Sequence, residues 1–171
     1  YTVLTAAGAR TDRAQFSAFC TDQPEGAACD AIGQLGIGSP EVSDADLGQD
    51  VTEARIKAIV ALDPGGVPAM TVESLKAIMV PTLIIGAGRT PEILNPDHEA
   101  AFAAQIVPGA EYALMPEAGH FDFLGPCTDM AVDILRSENP RDAIICEGDK
   151  AVRLAVHEAT ADRVIAFLNA Q

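Results

Sequence analysis

The chain has 171 residues, 49% of them hydrophobic, and 25 acidic against 11 basic side chains give a net charge of −14. This is one domain's worth of polypeptide, or a large part of one, with apolar side chains enough for a core. The sequence holds no apolar run long enough to span a bilayer, and the negative charge repels phosphate backbones and anionic lipid, which argues against nucleic acid or a membrane surface as partner.

Residues 1–9, YTVLTAAGA, are small and apolar, the pattern of a tightly packed buried helix. Such helices ordinarily open on a Ser, Thr, Asp or Asn cap, and none precedes Tyr1. The expectation is that the natural polypeptide extends upstream. A chain that starts inside an element would also show no signal peptide.

Residues 10–50 are rich in Gly, Pro, Asp and Ser and weakly periodic. They read as a surface excursion with short helical pieces, a lid-like insertion of the kind that is more often functional than idle. The four cysteines fall into two local pairs, Cys20 with Cys29 and Cys127 with Cys146. Of the three possible connectivities this one is favoured, because each bridge closes a short loop. Without a CxxC or paired histidines the spacing does not suit zinc. If the bridges form, the compartment is oxidising, periplasmic or outside the cell. Four reduced thiols in a cytosolic protein are the alternative.

From residue 55 the pattern sharpens. Residues 55–62 (RIKAIVAL), 80–88 (VPTLIIGAG) and 110–116 (AEYALMP) read as strands. Between them, residues 71–78 and 97–106 read as helices, the first with Thr71 as cap. Residues 150–171 form a closing amphipathic helix with room for one break. Strand–helix–strand–helix–strand predicts an α/β fold, a mostly parallel sheet with helices on both faces.

In open parallel sheets the chemistry sits at the carboxyl ends of the strands. Three loops leave those ends. They carry Asp63 in DPGG, Glu92 and Asp97 in GRTPEILNPD, and His120 in EAGHFDF. A carboxylate and an imidazole on neighbouring strand ends suit a histidine base, with one ring nitrogen oriented and the other free to take a proton. His98 and His157 read as surface or packing residues. Asp122, beside the histidine, reads as facing solvent, the alternative being to modulate the ring's pKa; Phe121, Phe123 and Leu124 read as the apolar wall of a substrate pocket, the alternative being core. GAGRTP after a strand also invites a dinucleotide reading, but Pro91 occupies the place of the third glycine, which disfavours it.

The apolar helix YTVLTAAGA, the strand end ALDPGG, the strand TLIIGAG and the histidine loop AGHFDFLGPC together resemble the C-terminal half of an α/β-hydrolase. The similarity is to dienelactone-hydrolase-like and platelet-activating-factor-acetylhydrolase-like esterases, and it covers nearly the whole chain. It implies a carboxylic ester hydrolase with nucleophile, acid and histidine in that order. The serine would then lie upstream of Tyr1, in a segment missing from this chain or carried on a separate one. Ser17, Ser39, Ser43, Ser74 and Ser137 all lack the glycine-flanked elbow a nucleophile needs.

His120 matches the family's histidine. The acid departs from the pattern, since Gly88-Arg89-Thr90-Pro91-Glu92 lacks the Asp usually found after that strand. Asp63 at the preceding strand end is the first candidate, as in the platelet-activating-factor-acetylhydrolase-like layout, and Glu92 the alternative. The resemblance implies a small-molecule ester substrate, the N-terminal half of the same protein as partner, and no metal or organic cofactor. The rival reading is a hydrolase-fold protein without catalysis that binds a ligand or partner.

Overall fold

The computed structural model describes residues 1–23, 29, 41–89 and 94–171. The chain opens on helix α1 (Thr2–Ala6), which stops where Gly8 turns to φ +121°. The N–H of Gly8 returns to the Thr5 carbonyl and that of Ala9 to Leu4, so the last carbonyls of the helix are satisfied by a Schellman turn. Helix α2 (Arg13–Asp22) follows, capped by Asp12 on the N–H of Gln15. It packs on the 67–70 segment through Phe16 against Ala69. A short helix α3 (Asp44–Leu47) is capped by Ser43.

The sheet has three strands, β1 (Ile59–Leu62), β2 (Thr82–Ala87) and β3 (Glu111–Met115), all parallel and in sequence order. Helix α4 (Val72–Lys76) connects β1 to β2 and α5 (Ala100–Ile106) connects β2 to β3. The expected α/β arrangement is therefore present as a small parallel sheet. Strand β1 is shorter than its apolar run. Pairing starts at Ile59 opposite Thr82, because Pro81 has no N–H to extend the ladder. The Glu53–Ile56 turn bends the preceding residues away. The helix expected over 97–106 starts at Ala100, since Pro96–Glu99 form turns. Thr71 caps α4 as expected, accepting from the N–H of Ser74.

Each face of the sheet is covered. On one, Ile59, Ala61 and Ile84 pack with Leu4, Leu75, Ala100 and Ala103 of the helices α1, α4 and α5. On the other, Leu83 and Ile85 pack with Phe167 and Val164. These belong to α7 (Lys150–Asn169), which follows α6 (Ala131–Glu138) and runs unbroken for 20 residues. Its buried positions Arg153, Val156, Thr160 and Phe167 recur at helical spacing. The central strand β2 is buried along nearly its whole length.

Cys20 is bonded to Cys29 and Cys127 to Cys146, the short-loop pairing. Bridges over 9 and 19 residues are each worth about 3 kcal/mol through the restricted unfolded chain. Both bonds require oxidising conditions to form and persist. Among the described residues no helix is long and apolar enough to cross a membrane.

Candidate active site

Asp63 is the first residue beyond β1. Its N–H extends the ladder to the Ile85 carbonyl at 2.6 Å, after which the backbone swings into the left-handed region at φ +41°. For a residue with a Cβ this conformation costs about 1 kcal/mol, and Asp tolerates it better than most. The turn aims the carboxylate across the sheet rim. Only 3% of Asp63 is exposed, and both its oxygens are used. Oδ1 accepts from the N–H of Ala87 at the end of β2 (2.9 Å), and Oδ2 accepts from Nδ1 of His120 (2.7 Å). With the Nδ1 proton committed to the carboxylate, Nε2 of the neutral ring is left as a proton acceptor.

His120 opens a 3₁₀ turn, His120–Phe123, five residues after β3 ends. Its side chain is 31% exposed, enough to meet a substrate. Gly88 and Arg89 tie this loop to β2 by donating to the carbonyls of Met115 and Ala118, each at 2.9 Å. Gly119 has an ordinary φ of −91°. Its lack of a side chain matters for another reason: a Cβ there would collide with the Arg89 guanidinium.

Asp122 does not face solvent, as its polar character suggested. It is 1% exposed and is the hub of the loop. One oxygen accepts from the N–H of Gly119 and from Arg89 Nη2, both at 2.9 Å, and the other accepts from Arg153 Nε at 3.2 Å. Arg153 is itself buried on α7 and donates onward to the Ile145 carbonyl at 2.9 Å. That carbonyl closes the 3₁₀ turn Pro140–Ile145, beside the Cys127–Cys146 bridge. The residues flanking the histidine are thus fixed by a buried ion-pair network reaching β2 and α7.

A cavity of about 300 Å³ adjoins the pair, its lining including Asp63, Ala87, Arg89, Leu94, His120 and Phe121. Among the described lining residues none carries a hydroxyl or thiol. Of the three expected wall residues, Phe121 lines the cavity. Phe123 packs against the sheet with Leu83, Ile85 and Phe167. Leu124 is exposed, and its carbonyl accepts from Nε2 of His157 at 2.8 Å. The alternative acid, Glu92, lies outside the described residues. Asp97 is exposed at the turn before α5, and His98 meets Phe19 edge-on.

The sequence reading did not single out Glu99, which is 1% exposed at the start of α5. Its Oε2 accepts from the N–H of Val67 at 2.8 Å. Burial pushes its carboxyl up to about 7, with the negative Asp63 adding to the effect. Glu99 also lies within electrostatic reach of the Tyr1 α-amino group. The start of the described chain therefore lies near Glu99.

Comparison of the chain with family models, with curated proteins and with solved structures finds no match.

Proposed function

We propose that Asp63 and His120 are the acid and base of a serine carboxylic ester hydrolase, whose nucleophile is supplied by polypeptide outside these 171 residues. The observation that carries the reading is the 2.7 Å bond from Nδ1 of His120 to a buried carboxylate, with His120 lining a cavity. A buried acceptor fixes the tautomer and stabilises the imidazolium that forms when the ring takes a proton.

In the reaction, the serine hydroxyl attacks the ester carbonyl while His120 Nε2 takes its proton. The tetrahedral intermediate collapses, the C–O bond to the alcohol breaks, and the alcohol leaves with that proton. Water then attacks the acyl-enzyme, losing a proton to Nε2; the bond from the acyl carbon to the serine oxygen breaks, Nε2 returns the proton to that oxygen, and the carboxylic acid departs. The electrostatic reach between Tyr1 and Glu99, a residue that also feels Asp63, supports entry of the serine from the segment before Tyr1, an elbow feeding a tightly packed helix. That segment would be the N-terminal half of an α/β-hydrolase of the dienelactone-hydrolase-like or platelet-activating-factor-acetylhydrolase-like kind. On this reading the chain works in the periplasm or outside the cell, as the two disulfides favour.

The test is the hydrolysis of p-nitrophenyl butyrate by the full-length protein. His120→Ala should lower kcat about 10³-fold or more, with KM little changed. Equal rates for the two proteins would overturn the proposal. No hydrolysis by either would favour the rival reading, a hydrolase-fold binder.

A further inference from the structure

The turn that carries Asp63 has an unusual construction. From Asp63 at φ +41° the chain passes through Pro64, Gly65 and Gly66, the last at φ +79°, into the 3₁₀ turn Val67–Ala69. Pro64 and residues 66–69 are buried, so the N–H groups of Gly66, Val67 and Ala69 cannot turn to water. No side chain of the turn caps it. The acceptor comes instead from Glu99, 32 residues later, which takes the N–H of Val67 on Oε2 and draws on that of Gly66 as well. Its other oxygen, Oε1, is buried and has no hydrogen-bond partner among the described residues. A carboxylate placed here pays a desolvation cost, visible in the elevated pKa, that a neutral side chain would avoid.

We infer that Glu99 is a positioning residue for Asp63: its carboxyl oxygen holds the N–H of Val67, locks the 63–67 turn and so keeps the Asp63 carboxylate on His120. The inference rests on the pairing of Asp63 with His120 as the working acid and base. What the clamp requires is an acceptor at the reach of a glutamate, whichever protonation state it is in. A neutral carboxyl retains an acceptor oxygen, so charge is not the essential property.

Two variants of the full-length protein separate reach from charge. Glu99→Gln removes the charge and keeps the acceptor at the same distance. Glu99→Asp keeps the charge and withdraws the acceptor by one methylene. The direct readout is the low-field proton NMR signal of His120 Nδ1–H, assigned by its absence in His120→Gln. It should persist in Glu99→Gln and be broadened away or lost in Glu99→Asp. Val164→Ala, a cavity variant in the separate cluster with Phe167 on the other face of the sheet, supplies the stability control and should keep the signal even where it lowers Tm. In parallel, kcat for p-nitrophenyl butyrate should fall at least 10-fold in Glu99→Asp and less than 3-fold in Glu99→Gln.

A Glu99→Asp protein with an intact signal would overturn the inference. So would loss of the signal in Val164→Ala to the same degree. If the esterase reading fails, no variant or parent will hydrolyse the ester, yet the NMR comparison still decides the role of Glu99.

Discussion

Asp63 accepts a hydrogen bond from the N–H of Ala87 with the oxygen that His120 leaves free, at 2.9 Å. The carboxylate is thus pinned to the end of β2 while it orients an imidazole on the β3 loop. Asp63→Asn should preserve the Ala87 contact, since the amide oxygen can accept it. The amide nitrogen would then face Nδ1 and force the opposite tautomer, with the proton on Nε2. The expected outcome is a folded protein with its low-field Nδ1 proton gone and kcat for an ester lowered 10³- to 10⁴-fold. Kinetics and one NMR spectrum check both.

Asp122 faces Arg89 and the buried Arg153 at once. Removing it in Asp122→Ala leaves a buried guanidinium uncompensated, an effect of about 3–5 kcal/mol. Asp122→Leu combined with Arg153→Met should cost less than Asp122→Ala alone, because no buried charge remains unpaired. Urea unfolding of the three proteins measures this, and the order of their midpoints is the expected result.

The contact of Arg89 with Gly119 should appear as non-additivity. A methyl group at residue 119 occupies the place of the guanidinium. Gly119→Ala alone is expected to destabilise by about 1–3 kcal/mol through overpacking. In an Arg89→Ala background the same substitution should cost much less. A double-mutant cycle in denaturant reads the coupling.

Glu99 should make stability depend on pH. Its carboxyl titrates near 4.5 when exposed and is raised to about 7 in the fold. The unfolded chain therefore loses this proton first, and the folded state loses ground as pH rises from about 4.5, until the folded group has also ionised above about 7. The shift corresponds to about 3 kcal/mol. Glu99→Gln should flatten the stability profile across that window. Thermal unfolding at pH 5, 6, 7 and 8 compares the slopes.

Much of this arrangement was legible in the sequence because it rests on local pattern. The β-branched and aliphatic runs marked the three strands, and Asp63 and His120 stood out as polar groups just past strand ends. Thr71 announced its helix by the capping rule. Other features depend on contacts that no local pattern records. Asp122, between two phenylalanines in a loop, looked solvent-facing. Its burial follows from arginines 33 residues before and 31 after it in the chain. Glu99 did not stand out, because acidic side chains at a helix start are usually exposed. Its partner is the backbone of Val67, which carries no sequence signature. Arg153 did not stand out within the closing amphipathic helix, yet it is buried against Asp122 of the histidine loop. Phe123 faced the sheet because the 3₁₀ turn rotates successive side chains by about a third of a turn, separating it from Phe121.

The central claim is that Asp63 and His120 serve a serine just ahead of Tyr1. The most direct measurement is labelling of the full-length protein with a fluorophosphonate, followed by peptide mapping. The expected result is one stoichiometric adduct on a serine in the segment leading into Tyr1, with labelling slowed at least 10³-fold in His120→Gln. Absence of any adduct, an adduct on a serine within residues 1–171, or labelling indifferent to His120 would contradict the account.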